Sequence, residues 1–450
     1  MKLAFVPSVL FLLCSISVFS QNAGNIEFSS RKCNSPVFKE SDRAYEDWMK
    51  GVLEKQNQFA NGKKISVSYN IPVIFHIIHS GQAVGNTYNI SQAQVNSQIR
   101  ILNEAFRKTN TDQSTYVTQA GLSSLAADCE ISFCAATVDT AGNALTEPGI
   151  DRILASSKGW TNPGYSDSYI ETTIKPNSVW NSSKYLNIWI LNFSDPQELG
   201  YAQFPTVPSA STPTIGDLAG SGLDGPAKTD GVVFGYKYIG DIGTATAPFN
   251  KGRTAVHEIG HWLGLWHIWG DESGCSGTDY VADTPNQGGE NYTCPATNGA
   301  VVTDACTATS PGVNYQNYMD YSDDKCMVMF TEGQKARMQA CMQYCPRRAA
   351  LVTSTVCNAV GIKENQSTIE LSIYPNPSEG ELFVDLKMAD AQDFTISVVN
   401  TLGQTIKEVK QVQSNGGKIK IDLSDKNTGV YFVTLKSKSG GSKVKRIVLQ

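Results

Sequence analysis

The sequence predicts an α/β (α+β) sheet domain followed by a small all-β sandwich of immunoglobulin-like type. Apolar strand-length runs alternate with helical patterns up to about residue 262, an irregular cysteine-bearing segment follows, and the chain beyond Cys357 is cysteine-free and alternates in period two. With 450 residues, 41% hydrophobic and 18% charged, there is material for two or three separate cores, and the composition is not that of a disordered chain. A formal net charge of -5 leaves no basic excess to recruit a phosphate backbone, so nucleic acid is excluded as an expected partner.

Residues 1–20 carry one cation at Lys2, an apolar run to about Val18 and small residues before Gln21. This is the pattern of a signal peptide, with cleavage expected after Ser20. No other stretch approaches membrane length, and no transmembrane segment is expected. Loss of the signal removes Cys14 and leaves ten cysteines, for which an exported chain makes disulfides the default reading. Residues 21–63 are polar, with one amphipathic stretch from Arg43 to Leu53, and read as a leader rather than a domain.

The sheet domain is expected over 64–357. Ile71–Ile78 is a strongly apolar strand, and Ser91–Phe106 is a helical pattern with Val95, Ile99, Leu102 and Phe106 on one face. Strand patterns recur at Leu186–Leu191, Leu199–Pro205 and Asp230–Gly235, and a helix carrying the key motif comes next. Asp271–Asn317 is rich in Gly, Thr, Asp and Cys with little periodicity, and so long an irregular segment needs cross-links or metal ions. A polar linker, 358–368, separates this domain from the module at 369–450. There, Leu382–Leu386, Phe394–Val399, Ile419–Leu423, Val430–Leu435 and Val444–Leu449 read as short strands.

The chemistry is concentrated in HEIGHWLGLWH, residues 257–267. His257 and His261 lie four apart, one helical turn on the same face, where two imidazoles reach one ion. Glu258, beside the first of them, can take a proton from a water that zinc has acidified and later pass it to a leaving amine. Gly264 lets the chain leave the helix through a left-handed turn, which swings His267 back as a third nitrogen ligand. Three protein ligands leave a fourth position open, the mark of a catalytic rather than a structural zinc site. His76 and His79 fall in a strand and read as structural histidines.

HEIGHWLGLWH, together with CSGTDYVADTP (Cys275–Pro285), NYMDYSDDKC (Asn317–Cys326) and MFTEGQKARM (Met329–Met338), resembles the metzincin metalloproteases and, within them, the pappalysin family. The resemblance covers about Lys64 to Cys357. It implies a metzincin fold with a twisted sheet, an active-site helix and a Met-turn, and a zinc-dependent endopeptidase acting on proteins. By the same resemblance Met319 is the Met-turn methionine, Tyr321 donates its hydroxyl to the oxyanion of the tetrahedral intermediate, and Cys275 pairs with Cys306 and Cys294 with Cys326. Packing in the core is the alternative role for Tyr321.

Asp324 stands where related enzymes place an acid at the floor of the S1′ pocket, which implies Arg or Lys at P1′; a solvated loop acid is the alternative. Leu199–Pro205 matches the edge strand on which metzincins lay an extended substrate antiparallel. Relatives bind calcium after the third histidine, and Glu272, Asp279, Asp283 and Thr284 offer hard oxygen ligands there. Cys33, in the leader, resembles a cysteine switch whose thiolate fills the open zinc position; a disulfide to the sheet domain is the alternative. Were Cys33 the switch, at least one of the other nine cysteines is expected outside a disulfide. Lys63 and Lys64 offer an autolytic boundary.

IYPNP (Ile373–Pro377), NTLGQ (Asn400–Gln404), TGVYF (Thr428–Phe432) and KRIVLQ (Lys445–Gln450) resemble the type IX secretion sorting domain. This implies the type IX machinery as a partner and a secreted or cell-surface location. The competing reading for the whole chain is a catalytically silent zinc-fold adhesin, against which the intact Glu258 stands.

Overall fold

The computed structural model describes residues 32–33, 43–59, 68–117, 122–161, 163–205, 226–357, 370–400, 404–437 and 442–450. The residues expected as signal peptide (1–20) and linker (358–368), with Lys63 and Lys64, lie outside the described residues. Among the described residues no helix is long and apolar enough to cross a membrane.

The leader contributes β1 (Lys32–Cys33) and α1 (Arg43–Phe59), the latter longer than the amphipathic stretch predicted. The sheet domain then runs β2 (Tyr69–His79), α2 (Gln92–Phe106), a short α3 (Gln113–Tyr116), β3 (Ile131–Ala135), β4 (Ile150–Leu154), the one-turn α4 (Asp167–Tyr169), β5 (Leu186–Leu191), β6 (Glu198–Ala202) and β7 (Val232–Gly235). α5 (Arg253–Trp262), α6 (Glu332–Tyr344) and α7 (Pro346–Leu351) complete it. The strand order is β1-β6-β7-β5-β2-β3, with β4 also on β2. Around β2 and β5 the pairings are parallel, and β6 alone runs antiparallel to its neighbour β7.

Strand β2 explains why the sheet sits in the middle. Ile71, Val73, Phe75 and Ile77 point to one face, into a core shared with Leu102 and Phe106 of α2 and Val256 and Ile259 of α5. Ile78 points to the other face, where Trp189, Val233, Ile170 and Ile174 bury it. A strand covered on both faces reads as a continuous apolar run, which is why IPVIFHII was legible. His76 faces Asp151 (2.9 Å) and the Asn187 side-chain oxygen (2.9 Å), a fully paired buried histidine far in sequence from the motif.

Helix ends are closed by side chains. Ser91 accepts from the Gln94 N–H at the start of α2, and Thr331 with Gln334 forms a reciprocal capping box at the start of α6. The irregular stretch between α5 and α6 is cross-linked by Cys275–Cys306 and Cys294–Cys326, and a third disulfide joins Cys134 on β3 to Cys357. Cys33, Cys129, Cys341 and Cys345 are not disulfide-bonded. Burial pushes the Cys129 thiol well above its ordinary value.

The C-terminal module is all antiparallel: β8 (Glu370–Tyr374), β9 (Glu381–Asn400), β10 (Thr405–Asp422), β11 (Gly429–Ser437) and β12 (Ser442–Leu449). The segments expected as separate strands at 382–386 and 394–399 are one strand, β9. Its first half pairs with β8 and its second half with β11, while β10 follows it along both halves. Leu382, Val384, Ile396, Val398, Val433 and Ile447 close a core of its own.

Candidate metal centre

Helix α5 begins where Asp324 accepts hydrogen bonds from the backbone N–H groups of Lys251 (2.8 Å) and Arg253 (3.1 Å), a carboxylate at the positive end of the helix. All ten residues of α5 are buried, so the helix is fixed on every side. It ends at Gly264, whose φ of +86° is the left-handed conformation that glycine adopts without penalty. The following turn brings His267 to within 3.0 Å of His261, Nε2 to Nε2, and His257 lies 3.1 Å from His261 by the same atoms.

The opposite ring nitrogens show what the three Nε2 atoms are for. His257 Nδ1 lies 2.7 Å from the Tyr318 carbonyl and His261 Nδ1 2.7 Å from the Leu265 carbonyl. Carbonyl oxygens only accept, so these Nδ1 atoms carry the protons. His267 Nδ1 faces Asp271 Oδ1 at 2.5 Å. The lone pairs on Nε2 therefore converge on one point, an arrangement that repels itself unless a cation sits between them. Three imidazoles, each oriented through its far nitrogen, fit a single zinc ion at about 2.0 Å per bond.

Among the described residues, Cys33, His257, His261 and His267 form the one group of three or more His, Cys, Asp or Glu whose ligand atoms gather within 4.8 Å. The Cys33 thiol lies 3.3 Å from Glu258 Oε2, and the Cys33 carbonyl accepts a long hydrogen bond from the Tyr321 hydroxyl, at 3.5 Å. β1 holds Cys33 there by pairing parallel to β6 on the edge of the sheet. β1 thus runs in the direction opposite to that expected of a substrate on the same edge.

Met319 lies beneath α5, so close that a Cβ at Gly260 would meet its sulfur at 2.4 Å. The glycine inside HEIGH is what lets the methionine seat there. Tyr321 leans on His267, with ring centres 4.9 Å apart, and on Trp269 at 4.8 Å. The loop carrying both is held by Asp320, which accepts from the Asn291 backbone, the Asn291 side chain and the Tyr321 N–H at 2.7–2.8 Å. Burial pushes the Asp320 carboxyl up to about 6. Sequence reasoning passed over Asp271 and Asp320, since single acids in an Asp-rich segment carry no pattern of their own.

The acids grouped as a calcium set lie apart. Glu272 accepts from the Ser276 hydroxyl (3.3 Å), and Asp283 caps α6 through the Thr331 hydroxyl (2.7 Å) and the Gly333 N–H (2.8 Å). Asp279 is buried, with the Thr284 hydroxyl 2.8 Å and 3.0 Å from its two oxygens, and burial pushes its carboxyl up to about 7. These carboxylates do not gather into a group among the described residues.

Comparison with known proteins bears on this geometry. The family described as pregnancy-associated plasma protein-A matches residues 167–343, which span the histidines and the Met319 loop, and the secretion system C-terminal sorting domain matches 372–450. An extracellular metalloprotease of Verticillium alfalfae is 31% identical over 292 residues, 64% of this chain and 79% of that protein. Mature mirolysin of Tannerella forsythia with a cleaved peptide is similar in structure, with a TM-score of 0.53 at 41% identity, covering 64% of this chain and 97% of that one. A promirolysin mutant from the same organism reaches a TM-score of 0.56 at 38% identity, covering 72% of this chain and 97% of that one. Converging histidines, the sorting module and these likenesses together mean that the chain belongs to the pappalysin family of secreted zinc metalloendopeptidases and ends in a type IX secretion sorting domain.

Proposed function

We propose that His257, His261 and His267 hold one zinc ion in the mature enzyme, with Glu258 as general base and acid and Tyr321 as oxyanion donor. The convergence of three Nε2 atoms, each set by an acceptor behind its ring, is the observation that carries this. When bound, zinc supplies a Lewis acid that polarises the scissile carbonyl and makes a water acidic. The Glu258 carboxylate takes the proton of the attacking water and delivers it to the leaving nitrogen. Tyr321 donates its hydroxyl to the oxygen that gains charge. The β6 edge aligns the extended peptide through its backbone N–H and C=O groups once the leader has gone. Elemental analysis of the self-processed enzyme tests the centre: one zinc per chain is expected, with protein cleavage lost on its removal and restored on its return.

Residues 21–63 act as a removable leader, and Cys33 as the fourth ligand while it remains. Support comes from the thiol's place among the three histidines and beside Glu258. Cys33→Ala is expected to shorten the lag before self-processing, read as leader loss on a gel against time. An unchanged lag discards the switch.

The substrate preference proposed is Arg or Lys at P1′, with Asp324 as the acid that selects it. A cation there shares a carboxylate already turned toward the N-terminus of α5. Profiling with an unbiased peptide library is expected to show cleavage before basic residues, and an apolar P1′ would exclude Asp324 from the pocket.

Structural calcium on the loop after His267 is part of the same proposal, with Asp279 and Thr284 as its oxygen donors; Glu272 and Asp283, which lie apart from them, are left out of the set. Without calcium, the raised Asp279 carboxyl stabilises the fold fully below its unfolded value, and that contribution is lost as pH rises through about 7. Wild type is therefore expected to lose stability relative to Asp279→Asn as pH rises from about 4 to about 7 in a calcium-selective chelator. Added calcium is expected to reverse the trend in melting temperature, with zinc content unchanged. No effect of calcium on either protein removes it from the account.

A further inference from the structure

Cutting a leader at one end leaves every other contact it makes in place, so its departure is a matter of binding. Among the described residues the leader touches the sheet domain at two separate places. Lys32 and Cys33 lie on the β6 edge at the histidines, whereas α1 covers a groove formed by Phe204, Trp266, Ala340, Cys341 and Cys345. Tyr45, Trp48, Met49 and Val52 are buried in that groove. Tyr45 meets Phe204 edge-on at 5.5 Å between ring centres, and Phe204 in turn stacks on Trp266 at 4.0 Å. Tyr45 also touches the bare α-carbon of Gly264, where a Cβ would meet its hydroxyl at 2.3 Å.

A charge sits at the centre of this apolar contact. The Glu46 carboxylate accepts from both terminal nitrogens of Arg337, at 2.8 and 2.7 Å, and from the Trp266 indole N–H at 2.6 Å. Both partners are enclosed, with side chains 2% and 4% exposed. The same guanidinium donates to the Gly264 carbonyl at 3.0 Å, so it also ties down the turn that presents His267. A two-pronged pair of this kind is specific in geometry, and removing the carboxylate alone leaves a buried cation uncompensated. The sheet domain therefore carries a built receptor for a carboxylate on an aromatic helical face.

We propose that the groove around Arg337 and Trp266 is a binding site for the severed leader, which stays seated through Glu46, so that dissociation of α1 rather than peptide-bond cleavage sets the onset of activity. This rests on the reading of residues 21–63 as a removable leader. Release also costs α1 its fold, since a 17-residue helix is marginal alone in water, and rebinding must order it again. That ordering cost lowers the leader's affinity, so the hold on it comes from the buried aromatic face and the Glu46–Arg337 pair.

The test uses the full chain carrying Glu258→Ala, which does not cut itself, with the recognition sequence of a highly specific protease in place of residues 60–64 and nicked there, so that α1 with its Lys50 and Lys55 stays intact. Gel filtration at micromolar concentration is expected to return the leader with the sheet domain, both with Cys33 and with Cys33→Ala. The Glu46→Gln leader is expected to elute apart, binding at least ~100-fold more weakly. Retention that disappears with Cys33→Ala, or that persists unchanged with Glu46→Gln, overturns the groove site. Should Glu46→Gln lower the melting temperature of the uncut chain, labelled peptides 43–59 with Glu46 or Gln are titrated into self-processed enzyme instead, and equal affinities overturn the proposal. A leader that separates freely while activation is normal sinks the groove alone. Self-processed enzyme no more active than the uncut chain sinks the leader reading with it.

Discussion

Glu258→Ala is expected to abolish peptide hydrolysis, by on the order of 10⁴-fold in kcat, while zinc content and melting temperature stay near those of the wild type. The carboxylate is not needed to hold the ion, because the three imidazoles converge without it and each is oriented by its own acceptor. It is needed to move a proton twice, and alanine does neither. Tyr321→Phe serves as the graded comparison: removing one oxyanion donor is expected to lower kcat by on the order of 10²-fold with little change in KM. The measurement is turnover of a denatured protein by leader-free enzyme, with bound zinc determined on the same samples. For Glu258→Ala, which does not process itself, the leader is removed by an added protease. Residual activity of Glu258→Ala within tenfold of the wild type (about 1.4 kcal/mol) contradicts the assigned role.

Asp230→Ala is expected to give the largest loss of stability, about 3–5 kcal/mol. Asp230 precedes β7 and is 1% exposed, and it gathers three donors from two helices. Trp262 Nε1 at the end of α5 donates at 3.0 Å, Arg347 Nε at 2.9 Å and Arg348 at 3.0 Å, both arginines being on α7. The Arg348 guanidinium lies 4.1 Å over the Trp262 ring and is itself fully enclosed, so loss of the acid strands a buried charge. At roughly 2–4 °C per kcal/mol the melting temperature is expected to fall by about 10 °C. Asp230→Asn, which keeps an acceptor for Trp262, is expected to fall between the two. A calorimetric shift of ~2 °C or less for the alanine variant excludes this network as the clamp on α5.

How far the site was legible follows from distance along the chain. The HExxHxxGxxH pattern compresses two helical ligands, a left-handed exit and a third ligand into eleven residues, and each spacing has one geometric meaning. Strand β2 was equally plain, since burial on both faces erases alternation. Long-range pairings had no such signature. Glu46 and Arg337 are 291 residues apart and look like two unrelated surface charges until the fold brings them together. In the stretch after His267 spacing does not tell the acids apart: Asp271 faces a histidine ring and Asp283 caps the start of α6. In the tail, alternation located the strands but not their continuity, because between its two apolar halves β9 shifts register against β10 rather than ending.

The Cys134–Cys357 bond has a mechanical meaning. Cys357 lies beyond α7 and is bonded to Cys134 of β3, which pairs in parallel with β2. Load applied to the chain beyond Cys357 would therefore reach the sheet at β3 through a covalent post. Helix α7, which supplies both arginines to Asp230, lies upstream of that bond along the chain, so the bond stands between it and a load from the C-terminal side.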